Sequence, residues 1–188
     1  MIREIRSALA ACAVTFVLCA VAYPAVVWGV AHLAFPHQAA GSLITRRDRT
    51  VIGSELIAQP FASAKYFQPR PSAVDYKADA AGGSNLGTKN PDLRKTVAQR
   101  VEALKASARD PAPVDLVTAS GGGLDPHISP AAASYQVPRV AAARGLSEER
   151  VRALVEAHTE RSGAILGAPP RVNVLRLNLA LDGEPTSS

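Results

Sequence analysis

The densest group of reactive residue types lies between residues 118 and 130, in the sequence TASGGGLDPHISP. Ser120, Asp125 and His127 are the residue types of a hydrolytic triad, in which the histidine takes the proton of the serine hydroxyl. Ser120 does not lie in the G-x-S-x-G turn that exposes such a nucleophile. The alternative is a structural loop, in which Asp125 and Ser129 cap the following helix and His127 hydrogen-bonds the backbone. The residues favour the structural loop, and the triad is kept as the alternative.

A second glycine-rich stretch, GGSNLGTK at residues 82–89, comes close to a phosphate-binding loop. Gly82 and Gly87 have the G-x-x-x-x-G spacing, but Thr88 precedes Lys89. In a phosphate loop the order is reversed, because the lysine must reach the phosphates while the hydroxyl holds magnesium. The stretch therefore predicts a glycine turn and not a nucleotide loop.

Cysteine and histidine usage argues against thiol and metal chemistry. Cys12 and Cys19 both lie in the apolar N-terminal run. On one helix they are about 10 Å apart, and a disulfide needs Cα atoms within about 7 Å. The 4 histidines have no H-x-x-x-H spacing, which helical zinc sites commonly use. We expect no catalytic residues and no metal ligands.

A basic and aromatic patch is formed by Tyr66-Phe67 and Arg70-Pro71. Arginine and aromatic side chains are enriched where one protein contacts another, and the guanidinium also binds anionic groups. An ordinary surface loop is the alternative for this segment.

The N-terminal segment is predicted to span a membrane. Residues 8–28 carry no charged side chain, and about 20 apolar residues are enough to cross the hydrocarbon. Arg3 and Arg6 flank this run directly against one Glu4, which favours a cytoplasmic N-terminus although Arg46 and Arg49 lie beyond the span. The competing interpretation is a cleaved signal peptide, whose apolar region is normally shorter.

This orientation gives two predicted domains. Residues 1–36 form the N-terminal tail and transmembrane helix, and residues 37–188 form one soluble, extracytoplasmic (periplasmic) domain of mixed α/β class. Within the span, Ala25 and Gly29 form a small-xxx-small pair that can seat a partner helix.

Hydrophobic periodicity and turn residues place the elements of the soluble domain. Residues 61–76 are predicted to be a structured loop. Helices are predicted for residues 92–106, after Asn90-Pro91, and after the caps Ser129 and Ser147. Strands are predicted for residues 50–58, 115–119 and 171–181.

Composition limits the function classes. The chain has 188 residues, of which 47% are hydrophobic and 20% charged, with a formal net charge of +5. One apolar run cannot make a channel or a multi-span carrier by itself. The small positive charge is spread thinly, so we expect no nucleic-acid partner.

Eight ordered motifs carry a resemblance to a known family. They are GSELIAQ at residues 53–59, YFQPRPS at 66–72, GSNL at 83–86, DLVTASG at 115–121, LDPHISP at 124–130, YQ at 135–136, RVA at 139–141 and PRVNVL at 170–175. In this order they resemble the C subunit of the Kdp-type potassium-transporting P-type ATPase (KdpC), over nearly the whole chain. The chain departs from the family pattern at Ala58, Gly122 and residues 87–89.

The resemblance implies a non-catalytic accessory subunit of a high-affinity, ATP-driven potassium import complex in the cell inner membrane. Its implied partners are a potassium-channel-like subunit, a P-type ATPase subunit that hydrolyses ATP, and a small membrane peptide. It implies assistance in assembly and promotion of ATP use by the pump subunit. The family's nucleotide contacts correspond to Ser120, Gly121 and Gln136, so ATP is the implied cofactor, through the pump subunit and not intrinsic to this chain.

The implied nucleotide contact conflicts with the predicted orientation. If the N-terminus is cytoplasmic, the soluble domain is outside, where cytoplasmic ATP is absent. An external domain would instead cap the potassium entrance or brace the channel-like subunit. The alternative outside this family is a membrane-anchored extracytoplasmic hydrolase that uses Ser120, Asp125 and His127.

Overall fold

The computed structural model describes residues 1–46, 48–105, 111–161 and 167–183. The chain divides into two compact units, Met1–Leu43 and Ile44–Ser188. The predicted fold class is confirmed, because one helix long and apolar enough to cross a membrane precedes a mixed domain of helices and strands.

The first unit is dominated by one helix, Ile2–Ala34, of 33 residues. It consists of α1 (Ile2–Phe16) and α2 (Tyr23–Ala34), joined by a π-helical turn at Val17–Ala22, and a short α3 (Pro36–Ala39) follows. At 1.5 Å per residue the long helix extends about 50 Å, which exceeds the roughly 30 Å of membrane hydrocarbon. None of its side chains in α1 or α2 is buried, and an apolar surface of this kind suits lipid.

The remaining elements follow in chain order. They are β1 (Leu43–Thr45), β2 (Val51–Ser54), α4 (Pro91–Lys105), α5 (Val114–Val117), β3 (His127–Ile128), α6 (Pro130–Arg144), α7 (Glu148–Ala157), β4 (Thr159–Glu160), β5 (Arg171–Asn173) and α8 (Val174–Leu181). Strands β1 and β2 pair with each other, and β5 lies between β3 and β4. Both pairings of β5 are antiparallel, with Val172 opposite Ile128 and Thr159.

The main core lies where α6 and α7 pack on β5 and α8. Val137, Val140, Val151, Val172 and Leu177 are fully buried in this cluster. A second cluster joins the β1–β2 pair to the other side of α8 through Ile44, Ile52, Leu175 and Leu179. Helix α8 is therefore buried on two sides.

Three predicted helix starts are confirmed by capping hydrogen bonds. Asn90 Oδ1 accepts the N–H of Asp92 at 2.8 Å, and Ser129 Oγ accepts the N–H of Ala132 at 3.0 Å. Ser147 caps α7 in the same way. These bonds satisfy N–H groups that have no partner inside the helix.

The predicted strand at residues 171–181 is wrong beyond its first three residues. Asn173 Oδ1 accepts the N–H of Arg176 at 3.1 Å, and this cap starts α8. The apparent alternation of Leu175, Leu177 and Leu179 comes from burial on two faces of one helix. Alternation of this kind cannot be distinguished from a half-buried strand by periodicity alone.

The predicted strand at residues 115–119 is also wrong. Residues Val114–Val117 form one helical turn, α5. Thr118 closes it, because its N–H and its hydroxyl both donate to Val114 O, at 2.9 and 2.7 Å. The predicted strand at residues 50–58 shortens to β2, and residues 61–76 form the expected loop without regular structure.

Candidate functional site

The glycine-rich loop around residues 118–125 is held in place by three other segments. The N–H of Ser120 donates to Pro71 O at 3.0 Å, and Gly122 O accepts the N–H of Gly82 at 2.9 Å. Leu124 O accepts the N–H of Ala58 at 3.0 Å. The two glycine-rich stretches of the sequence therefore lie against each other. The turn predicted for residues 82–87 is not formed there, and a turn follows at residues 88–89, where the N–H of Asn90 donates to Gly87 O at 2.9 Å.

Close packing explains two of the glycines. Gly123 has φ +71°, and a Cβ there would lie 2.7 Å from Gly82 O and 2.6 Å from a methyl of Val74. A Cβ on Gly83 would lie 2.6 Å from Gly121 O. Real Cβ atoms do not approach that closely, so both positions require glycine in this fold.

Asp125 lies at the edge of this loop between Arg70 and His127. Its Oδ1 accepts the N–H of His127 at 3.0 Å, and the ring Nδ1 of His127 faces the same oxygen at 3.7 Å. Its Oδ2 accepts from Arg70 at 3.3 Å. Burial acts to raise the pKa of Asp125, but the His127 ring, the His127 N–H and the Arg70 charge together outweigh it, so the pKa lies below its ordinary value.

The structure brings Asp125 and His127 together but not with a serine nucleophile. Within the described residues Ser120 makes no hydrogen bond to His127, and its side chain is only 3% exposed. Ser129 is occupied as the cap of α6, and its N–H donates to Asp115 Oδ2 at 2.7 Å. Ser129 caps α6 as the structural interpretation expected, whereas Asp125 accepts the N–H of His127 and caps no helix, and the His127 ring faces Asp125 and not the backbone. Among the described residues no serine hydroxyl is hydrogen-bonded to His127, so no proton relay to a serine is formed.

The lowered pKa of Asp125 gives a testable pH dependence. A carboxylate whose pKa is lowered by folding stabilises the fold above its unfolded pKa of about 3.9, and this contribution is lost as the pH falls through the folded value. Asp125→Asn is therefore expected to lower the thermal midpoint at pH 7, and the difference from wild type should shrink below about pH 4. Thermal unfolding from pH 7 to pH 2 measures it.

The matched control for this prediction is Asp79→Asn, which changes an exposed carboxylate on the loop before α4. A midpoint difference for Asp125→Asn that stays constant over the whole pH range would contradict the assigned role of its charge.

Gln136 in α6 is hydrogen-bonded to the irregular segment of residues 61–76, called here the aromatic loop. Its Oε1 accepts the N–H of Gln68 at 2.7 Å, and its Nε2 donates to Gln68 O at 3.1 Å. Arg139 donates to the same Oε1 at 2.7 Å and to Tyr66 O at 3.0 Å. Gln136 is 4% exposed, so both atoms of its amide are already used inside the protein.

A second side-chain amide, that of Asn178 in α8, is hydrogen-bonded to the same loop. Asn178 Oδ1 accepts the N–H of Phe67 at 2.8 Å, and Asn178 Nδ2 donates to Phe67 O at 3.0 Å. Together, Gln136 and Asn178 replace the hydrogen bonds that a β-ladder would give two consecutive loop residues. Burial also lowers the pKa of the Arg139 guanidinium beside them.

Arg144 fixes the start of the same loop. Its guanidinium donates to Lys65 O at 2.7 Å and to Asp182 Oδ1 at 2.7 Å, and it lies over the Tyr66 ring at 5.0 Å. The Tyr66 hydroxyl donates to the other oxygen of Asp182 at 2.9 Å, which raises the pKa of Tyr66. Much of the predicted basic and aromatic patch is therefore used in internal contacts.

Behind the loop lies a cavity of about 250 Å³. The Tyr76 hydroxyl donates to Arg70 O at 2.9 Å and the Tyr135 hydroxyl to Leu104 O at 3.2 Å, so both rings are fixed. The side chains that line it include Tyr76, Tyr135, Leu104, Leu116, Gln136 and Arg139. Apolar walls with a few polar groups are usual for small-molecule sites.

Metal-binding chemistry was not expected from the sequence. In the parts of the chain that the structure describes, no group of three or more His, Cys, Asp or Glu residues could hold a metal ion. The ring Nδ1 of His158 lies 2.9 Å from Leu154 O, one turn earlier in its helix. Cys12 and Cys19 are free and exposed on the N-terminal helix.

Sequence reasoning missed Asn178 and Arg144, which also join α8 and α6 to the aromatic loop. The signal for Asn178 was available, because a polar amide between Leu177 and Leu179 interrupts an apolar run. A buried amide of this kind requires partners. No local pattern indicates the partners of Arg144, which are 79 and 38 residues away.

The described residues define a class of protein: a helix long and apolar enough to cross a membrane, followed by a mixed α/β domain whose polar residues mainly organise irregular loops. Residues 5–183 match the family model described as KdpC, K+-transporting ATPase, c chain. The chain belongs to this family, and the resemblance found in the sequence is confirmed.

Curated relatives cover nearly the whole chain. The potassium-transporting ATPase KdpC subunit of Geobacter metallireducens is 55% identical over 184 residues, which cover 95% of this chain and 97% of that protein. The subunit of the same name in Sorangium cellulosum is 54% identical over 191 residues, with coverages of 97% and 99%. That of Rhodopseudomonas palustris is 52% identical over 197 residues, with coverages of 97% and 98%.

Proposed function

We propose that this chain is a non-catalytic accessory subunit of a high-affinity, ATP-driven potassium import complex. Its soluble domain lies outside the cytoplasm, where it braces the potassium-channel-like subunit at the potassium entrance and assists assembly. Family membership supports the complex. The observation that carries the non-catalytic role is the use of Ser129, Asp125 and Gln136 in holding loops and helix ends.

The orientation rests on the charges beside the N-terminal helix. Arg3 and Arg6 lie in its first two turns, and the next basic side chain along the chain after them is His32, followed by His37 and Arg46. Basic residues next to a span remain on the cytoplasmic side. With one span, a cytoplasmic N-terminus places everything after Ala34 outside.

A second candidate function is direct contact with ATP bound by the P-type ATPase subunit, through Ser120, Gly121 and Gln136. The observation that favours it is the cavity of about 250 Å³, because Gln136 and two tyrosines line it. Gln136 would have to release Gln68 to bind a nucleotide. This function also requires a cytoplasmic domain.

A compartment reporter fused after Ser188 separates the two functions. We expect alkaline phosphatase fused there to be active, and green fluorescent protein fused there to be dark after export. The matched control is a fusion at Arg6, before the span, which should give the opposite pair of signals.

A fluorescent and phosphatase-inactive fusion at Ser188 would contradict the external function and support contact with ATP. The accessory role is tested separately, on the chain purified without the other subunits. An isolated chain that hydrolyses esters or ATP without the other subunits would contradict it.

A further inference from the structure

Two of the three consecutive glycines in the loop have no steric reason among the residues that the structure describes. Position 123 requires glycine because of its positive φ and its close contacts, as described above. A Cβ on Gly121 or Gly122, in contrast, would meet nothing within 4 Å. Neither residue has positive φ. Glycine loses more conformational entropy on folding than other residues, so these two positions cost stability that no packing within the described residues returns.

The main chain at these glycines is exposed and held in one conformation. Bonds from Pro71, Gly82 and Ala58 fix the loop on both sides, as described above. In the part of the chain that the structure describes, the N–H groups of Gly121 and Gly122 have no hydrogen-bond partner. A fixed surface with free donors loses little entropy when another chain binds it.

Arg70 and Asp125 lie beside this surface. Arg70 donates to Asp125 at 3.3 Å and to Ala119 O at 3.5 Å, both near the limit for a hydrogen bond. Its Nε is buried without a partner among the described residues. Arg70 is therefore poorly satisfied by its own chain, and the exposed part of its side chain, which is 28% exposed, can donate to a neighbour.

The charges at this surface favour a peptide over a phosphate. Asp125 is ionised at neutral pH, because its pKa is lowered, so it balances Arg70 and repels a multiply charged phosphate. A main-chain carbonyl carries no net charge and accepts from N–H groups. It can approach closely only where no Cβ stands in the way.

We propose that Gly121 and Gly122 form a docking surface for a polypeptide loop of a neighbouring subunit of the pump complex. The partner's main chain lies against the two glycines, its carbonyls accept their N–H groups, and Arg70 donates to it at the side. This inference rests on the proposed accessory function and names the surface through which it acts.

The test uses bulky side chains that the chain itself tolerates. Full-length Gly121→Val and Gly122→Val variants are co-expressed with the other subunits of the complex, and a tag on the channel-like subunit recovers the assembly. We expect recovery of this chain to fall about tenfold or more, as expected for overpacking a close contact. The thermal midpoint of each isolated variant should be no lower than that of wild type.

Gly87→Val is the matched control, because a Cβ there also meets nothing within 4 Å and its φ is not positive. It should leave recovery unchanged. Equal recovery of wild type and both loop variants would overturn the docking surface while leaving the accessory function intact. Failure of wild type itself to be recovered would overturn both.

Measurement of ATP binding to the purified complex distinguishes a nucleotide from a polypeptide as the occupant of this surface. If Gly121→Val leaves assembly unchanged but weakens binding of ATP, the surface is a nucleotide contact and the proposal is wrong. Reduced assembly of Gly121→Val and Gly122→Val, without a lowered midpoint, supports the polypeptide.

Discussion

Replacing Phe67 with alanine is expected to lower the free energy of unfolding by about 3–5 kcal/mol. The ring is 0% exposed and belongs to the main core cluster. Its backbone is bonded in both directions to Asn178, so the loop cannot move inward to fill the space that the ring leaves. The cost therefore includes a cavity as well as the lost burial.

Chemical denaturation of the full-length chain in detergent, followed by circular dichroism, measures this effect. Leu56→Ala is the control, because Leu56 is an apolar side chain that is 60% exposed. It should change the free energy of unfolding by no more than about 0.5 kcal/mol. Similar losses for the two variants would show that the aromatic loop is not part of the cooperative core.

The sequence predicted the features that depend on local chemistry. The N-terminal helix follows from a long run without charged residues, since about 20 consecutive apolar residues favour a helix that can cross the hydrocarbon. The starts of α4, α6 and α7 follow from Asn90, Ser129 and Ser147, each of which bonds an N–H two or three residues ahead. These interactions need no information about the rest of the fold.

Helix α8 could not be predicted in this way, because tertiary packing decides it. The segment RLNLAL is compatible with a strand that has one buried face. It becomes a helix because the second cluster, containing Ile44 and Ile52, covers the side opposite the main core. Tertiary contacts of this kind override the local pattern.

The organisation of the candidate site also could not be predicted from the local sequence, because its contacts join residues that are far apart in the chain. Asn178 and Phe67 are 111 residues apart in the chain, and Gln136 and Gln68 are 68 apart. The motifs indicated that residues 66–72 and 118–130 carry unusual chemistry. They did not indicate that the amides serve the backbone of another loop. The contact of Ser120, Gly121 and Gln136 with ATP stays a prediction.

Replacing Gln136 with leucine is expected to lower the free energy of unfolding by about 2–5 kcal/mol, without any nucleotide present. The leucine side chain has a similar size but cannot bond the N–H and C=O of Gln68. It also removes one acceptor from Arg139, which is half-buried and positively charged. Leaving buried polar groups without partners costs about 1–3 kcal/mol each, so the losses at Gln68 and Arg139 add up to a large effect.

The same substitution on an exposed helix face, Gln99→Leu in α4, is the matched control and should leave the midpoint of unfolding within error. Gln136→Glu keeps an acceptor for Gln68 N–H and for Arg139 but loses the donor to Gln68 O, so an intermediate loss is expected. A nucleotide contact without a structural role predicts the opposite result: unchanged unfolding of Gln136→Leu, and an effect only on the ATP dependence of the assembled pump. Because Gln136 is almost fully buried and both atoms of its amide are bonded, the structural role accounts for its position before any ligand is considered.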